Sequence, residues 1–213
     1  MKIGIIAASG KAGATSLKEA VSRGHEVTAF VRDASKIQDG GVKVVQKDVF
    51  QLSAEDVAGL DAVVNAFGAP LGQEHLHAEA GHALIKTFRG APDTRLIVVG
   101  GAGSLYVDEA KTLRLVDTPE FPDMFKGTAS AQARNLEELK ESVGVKWTFV
   151  SPSAFFNPEG KRTGTYRTGK DNLLVNSAGE SHVSYADYAI AIVDEIENPQ
   201  HLNERFTVVS EFE

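Results

Sequence analysis

The segment that most limits what this chain can fold into is its beginning. Residues 3–8 form a short apolar run, followed at once by Ser9-Gly10-Lys11-Ala12-Gly13 and then by a segment of helical composition that stops at Gly24. An uninterrupted apolar run of strand length reads as a strand buried on both faces, as parallel sheets require. The turn between strand and helix has the composition of an anion cradle. Gly10 lets the main chain approach a phosphate, and Gly13 lets the helix pack closely on the sheet. The bare first turn of the helix offers free N–H groups and positive potential. Ala8, Ser9, Lys11 and Ala12 complete this loop, in which Ser9 and Lys11 can add side-chain donors. Ala7 stands where a third glycine is usual and restricts the turn there. A tight strand-to-helix turn with no ligand is the alternative reading.

The pattern then repeats. Strand-like runs occur at 26–31, 42–45, 61–65, 95–99, 146–150 and 205–209. Helical spacing is found at 11–23, 73–89, from 129 to 143, and from 184 to 198. Ser53 with Asp56, and Ser184 with Asp187, have the spacing of a capping box. Thr118-Pro119 reads as an N-cap and first helical residue. Strands alternating with helices predict an α/β fold of Rossmann type: a doubly wound, mainly parallel sheet with helices on both faces. One domain spanning 1–213 is expected. The alternation fails at about 151–183, a Gly-, Pro-, Asn- and aromatic-rich insertion expected to cap a substrate.

In such a sheet, ligands bind at the carboxyl ends of the strands. The second strand ends in Val31-Arg32-Asp33. A site for NAD usually has an acid here to hold the ribose 2′-hydroxyl, whereas Arg32 suits a 2′-phosphate. The expected cofactor is therefore NADPH. Asp33 leaves NADH open unless that side chain caps the turn that follows. Asp48 and Val49 follow the third strand, where an Asp can take the adenine amino group. Ala66, Phe67 and Gly68 follow the fourth, where small residues let the chain run beside a ribose.

Composition excludes several functions. The chain has 213 residues, 42% of them hydrophobic, and a formal net charge of −7. An acidic surface argues against nucleic-acid and anionic-membrane partners. With no cysteine, thiolate catalysis, disulfides and cysteine metal sites are ruled out. His75 and His77 are two residues apart and diverge on a helix, so no metal site is expected, and a solvated helix face is the better account. The opening apolar run is too short for a signal peptide, so a cytoplasmic location is the expectation. Oligomeric state is not legible.

Several stretches carry a family resemblance. They are residues 8–13, 31–33, 99–105 and 147–152, together with Gly160-Lys161-Arg162-Thr163-Gly164 and Ser184-Tyr185-Ala186-Asp187-Tyr188-Ala189. With these, nearly the whole chain resembles the atypical short-chain dehydrogenase/reductase superfamily, most of all the group named NADH-flavin reductases and its biliverdin-reductase-B-like relatives. The resemblance implies a nicotinamide-dependent oxidoreductase. It places Pro152 and Ser153 near the nicotinamide and makes Ser104 the candidate catalytic serine, with a bland loop serine as the alternative. The main branch of the superfamily uses a Tyr with a Lys four residues on, on the helix after the fifth strand. Here that helix has no Tyr. Tyr166 and Lys170 match the spacing but lie in the irregular insertion, where the match reads as a coincidence. Without a proton relay, alcohol–ketone chemistry is disfavoured. Hydride transfer to a flat acceptor such as FMN, FAD or riboflavin needs mainly positioning. Phe155 and Phe156, with Phe67, are candidates for the apolar wall of that substrate site, with core packing as the alternative for each. Arg162 can meet a substrate phosphate or remain a solvated charge. A second functional class is also open: an NADP(H)-binding redox sensor without turnover.

Overall fold

The computed structural model describes residues 1–211. Its first half repeats a strand–connection–strand unit. Strand β1 (Lys2–Ile6) leads through helix α1 (Lys11–Ser22) to β2 (Glu26–Val31), and β3 (Lys43–Gln46) through the single turn α2 (Ala54–Val57) to β4 (Ala62–Asn65). Helix α3 (Leu76–Arg89) precedes β5 (Arg95–Val99), and α4 (Asp123–Glu141) precedes β6 (Trp147–Ser151). Two short strands, β7 (Phe155–Asn157) and β9 (His182–Ser184), flank β8 (Tyr166–Gly169). Helix α5 (Tyr185–Glu197) and β10 (Glu204–Ser210) follow.

Among the described residues, eight strands form one sheet in the order β3-β2-β1-β4-β5-β6-β10-β8. All neighbours are parallel except β8, which runs antiparallel along β10. The chain reverses direction across the sheet between β1 and β4, and that is where a doubly wound sheet opens a crevice. Side chains alternate between two cores, one on each face. Ile3, Ile5, Val27 and Ala29 face α1 and α5 with Leu17 and Ile192. Ile6, Phe30 and Phe149 face α3 and α4 with Leu84 and Leu136. Burying a side chain of this size contributes about 1.5–3 kcal/mol relative to exposure.

Helix boundaries follow local chemistry. Gly24 takes the left-handed conformation after α1 (φ +78°), a backbone state natural to glycine at a helix end. Both arms of the Ser53–Asp56 capping box form, although the helix they open is one turn long. The Thr118-Pro119 expectation is corrected. The Thr118 hydroxyl donates back to the Leu115 carbonyl (2.8 Å), closing a 3₁₀ turn at Leu115–Asp117, and α4 begins only after Pro122. Val143 is also not a core position. Helix α4 ends at Glu141, Val143 is 80% exposed, and Val145 takes the buried place. At α5 the Asp187 N–H donates to the Ser184 hydroxyl (3.0 Å), but the Asp187 carboxylate does not return to Ser184. It accepts instead from Thr163 N–H, Thr163 Oγ1, Gly164 N–H and Ser210 Oγ at 2.8–2.9 Å.

That fourfold anchor shapes the 151–183 segment, which has two parts. Strand β8 completes the edge of the main sheet, so this part is scaffold. The β7–β9 pair forms a separate two-stranded parallel sheet beside the start of α5. No described helix is long and apolar enough to cross a membrane.

Candidate functional site

A cleft of about 500 Å³ opens at the carboxyl ends of β1, β2, β3 and β4, a size in the range of small-molecule sites. Its floor is the strand-to-helix turn after β1. Ala7 has φ +56°, in the left-handed region that favours glycine. An L-residue pays roughly 1–2 kcal/mol for that conformation, and two hydrogen bonds hold it there: Ala7 N–H to the Phe30 carbonyl (3.0 Å) and Gly10 N–H to the Ala7 carbonyl (2.9 Å). A Cβ at Gly13 would lie 2.3 Å from the Ala7 carbonyl oxygen, so only glycine lets α1 start this close to the turn. The side chains at the start of α1 leave its first-turn amides free: the N-cap, Gly10, makes no side-chain cap bond, and no acid sits in the first turn.

Of the residues expected to hold a cofactor, Ser9, Gly10, Lys11, Ala12, Arg32, Asp48, Val49, Ala66, Phe67 and Gly68 line this cleft. Ala8 and Gly13 are buried beneath it. Pro152 and Ser153 do not line it. Both are buried, and the Ser153 hydroxyl donates to the Val208 carbonyl (2.7 Å). The end of β2 is cationic. Asp33 accepts from Ser35 N–H and Ser35 Oγ, capping the turn Ala34–Lys36. These bonds hold its carboxyl below the usual range. The capped turn brings Lys36 to the cleft wall beside Arg32, and neither cation has a salt bridge among the described residues. The Asp48 carboxylate caps the turn Val49–Gln51 through Phe50 N–H.

The opposite wall depends on a histidine. The Asn65 side chain accepts from Phe67 N–H, and His77 Nε2 accepts from Ala69 N–H (3.3 Å), fixing the chain after β4. Phe67 sits edge-on between Phe50 and His77, with ring centroids about 6 Å from each. Burial pushes the His77 pKa down, against the pull of Glu74. Contrary to the solvated-face expectation, His77 is thus half-buried and structural, while His75 and His82 are exposed. Among the described residues, no group of three or more His, Cys, Asp or Glu is placed to hold a metal ion.

The other expected site residues are spread out. The Ser104 hydroxyl accepts from Arg205 (3.0 Å), whose other nitrogens bind Asp171, so it is tied to β10 and lies outside the cleft. Burial opposes ionisation of Asp171, but Arg205 and Lys111 hold its carboxyl below the ordinary range. Arg162 is bound to both carboxylate oxygens of Glu19 on α1 (3.1 and 3.2 Å), which occupies the charge expected to meet a substrate phosphate. Phe156 packs at tilted angles against Tyr185 and Tyr188 at the edge of a core, whereas Phe155 is 59% exposed beside His182. The Tyr166 hydroxyl donates to Asp194, and Lys170 pairs with Glu204, so the two side chains serve different partners.

Three polar cleft residues were given no role by sequence reasoning: Lys36, Lys47 and Tyr185. The Arg32-to-Lys36 spacing across a capped turn was a usable signal for the first. Lys47 binds Asp56 (2.7 Å), a pairing that no local pattern announces. Tyr185 is brought in by α5, from the far end of the chain.

The sequence model of a family described as NAD(P)H-binding matches residues 7–199. The chain is 65% identical to the uncharacterised protein YwnB of Bacillus subtilis over 213 residues, the full length of both. A solved structure from Streptococcus pneumoniae, described as a "putative NADH-flavin reductase", is 46% identical, covers 99% of each chain and superposes with a TM-score of 0.93. The anaerobillin reductase ChuY of Escherichia coli is 20% identical, covers 99% of this chain and 97% of its own, and shares the fold at a TM-score of 0.75.

Proposed function

The chain belongs to the NAD(P)H-binding family, and from that premise we propose that it is an NADPH-dependent reductase whose acceptor is a flavin or a similarly flat conjugated molecule. The observation that carries the cofactor choice is the end of β2. The one acid there is spent on capping its own turn, and that turn presents Arg32 and Lys36 together. A dianionic 2′-phosphate is matched by two free cations, while a bare ribose finds no free carboxylate.

The residues fit such a group. Main-chain amides of Ser9, Lys11 and Ala12 would receive the diphosphate, with Gly10, whose own N–H is held by the Ala7 carbonyl, letting it approach; Arg32 and Lys36 would receive the 2′-phosphate, and the Asp48–Val49 turn the adenine. A bound nicotinamide supplies the hydride donor. The chain's own contribution is to bind and orient, since no Tyr–Lys pair stands on α4 and the Ser104 hydroxyl is held by Arg205. Phe155, exposed on β7, is the aromatic surface available to a flat acceptor. The name of the Streptococcus pneumoniae relative supports a flavin as that acceptor.

The test is oxidation of NADPH in the presence of FMN, FAD or riboflavin, followed at the nicotinamide absorbance band. A KM for NADPH that rises about tenfold or more in Arg32→Ala, with little change in the KM for NADH, is the expected result. Equal loss with both nucleotides would refute the cofactor assignment. The Tyr166 hydroxyl, which donates to Asp194, and Ser104, held outside the cleft by Arg205, favour a second reading, an NADP(H)-binding redox sensor. Tight NADPH binding with no oxidation by any flavin or quinone would select it.

A further inference from the structure

Tyr185 is the one cleft residue contributed by α5, and its hydroxyl is unlike that of its neighbours. Tyr166 donates to Asp194 and Tyr188 to the Val150 carbonyl, whereas the Tyr185 hydroxyl makes no hydrogen bond to a described residue. Its ring is fixed all the same. It packs against Phe156 with centroids 4.0 Å apart and ring planes tilted by 36°, a contact that restrains the side chain at the cleft.

Topology says which part of a ligand the hydroxyl can meet. Helices α1 and α5 pack side by side on one face of the sheet. Helix α1 leads to β2, and α5 leads to β10 on the other side of β1. Tyr185 therefore reaches the cleft from the side opposite Arg32, Lys36 and Asp48, and the Ser9–Ala12 amides lie between them. We infer that Tyr185 is a cofactor-positioning residue whose hydroxyl donates to the diphosphate of the dinucleotide, closing on it from α5 while the amides of α1 hold it from below. This inference rests on the proposed nucleotide site and adds a contact to it.

The chemistry suits the role. Half-burial pushes the Tyr185 pKa up, so the group presents a neutral O–H rather than a phenolate to an anion. A neutral donor to a charged oxygen is among the stronger hydrogen bonds. Placing it on a ring already packed against Phe156 limits the entropy lost on binding.

The experiment titrates the full chain, its Tyr185→Phe variant and its Arg32→Ala variant by calorimetry with NADPH, ADP and adenosine 2′-phosphate. Tyr185→Phe keeps the stack on Phe156 and removes one oxygen. The expected result is about a tenfold loss of affinity for NADPH and ADP with adenosine 2′-phosphate unchanged. Arg32→Ala should show the complementary pattern, losing NADPH and adenosine 2′-phosphate but not ADP. Unchanged affinity of Tyr185→Phe for NADPH and ADP would overturn the inference. So would an equal loss for all three probes, because that reports damage to the cleft rather than a missing diphosphate contact. Failure of the parent protein to bind any of the three would instead remove the nucleotide site itself.

Discussion

The closest approach in the phosphate turn yields the sharpest prediction, the effect of Gly13→Ala. In an ordinary helix this change stabilises by about 1 kcal/mol through propensity. Here the added Cβ would lie 2.3 Å from the Ala7 carbonyl oxygen, 2.9 Å from the Ala7 carbonyl carbon and 3.0 Å from the Ala8 Cα. All three are backbone atoms, so no rotamer change relieves the overlap. Helix α1 must move off the turn by roughly 1 Å, and overpacking of this kind costs about 1–3 kcal/mol. Set against the propensity gain, the net loss is about 0–2 kcal/mol. For a chain of this length that lowers Tm by up to roughly 8 °C. Nucleotide binding should suffer more, because the same shift misaligns the amides that face the diphosphate. Each misaligned charge-assisted bond is worth about 1.5–3 kcal/mol, or roughly 10- to 100-fold in Kd. Thermal unfolding with and without NADPH measures both quantities. Gly40→Ala is the control, since a Cβ there meets nothing within 4 Å. If Gly13→Ala melts at or above the parent temperature and is stabilised equally by NADPH, the close contact with Ala7 does not constrain the loop.

Three further outcomes are expected. Ala7→Gly relieves a left-handed alanine (φ +56°) but adds freedom to the unfolded chain, so stability should change by less than about 1 kcal/mol with NADPH affinity retained; a loss above that in chemical denaturation would mean the Ala7 methyl has a packing role. Asp187→Asn replaces an acceptor of four donors with a group that must turn its amide toward some of them, for a loss of about 1–3 kcal/mol and faster hydrogen exchange at Thr163 and Gly164; parent-like exchange there would contradict the anchor. The third concerns acid. Burial lowers the native pKa of His77 below its unfolded value of about 6.5, so the unfolded chain takes up the proton first. Stability from this residue is complete above about pH 6.5 and declines as pH falls from there toward the lower native pKa. His77→Gln, which can still accept from Ala69, should flatten that limb of the pH–stability curve, and an unaltered slope would assign it to another group.

Much of the architecture was legible in residue order. The apolar runs that follow the opening charge of Lys2–Ile6, Glu26–Val31 and Arg95–Val99 announce buried parallel strands because only Thr28 interrupts them with a polar side chain. The turn from Ala7 to Gly13 announces its shape because two glycines and a short strand leave few other conformations. Asp33 shows a limit: its sequence position fits a ribose ligand as well as a cap, and the bonds to Ser35 decide between them.

What only the tertiary structure decided are the long-range pairings. Arg162 meets Glu19 across 143 residues, Arg205 meets Ser104 across 101, and Asp187 reaches back to Thr163. Read along the chain, Arg162 and Ser104 looked available for a ligand and Asp187 for a local cap, and each is occupied by a partner that the sheet order brings near. Tyr185 is the converse, a residue given no role along the chain that α5 carries into the cleft. Periodicity and turn chemistry act over a few residues and are written in neighbouring positions. The partner of a charge or hydroxyl is set by which strands lie side by side, and that depends on the packing of the whole chain.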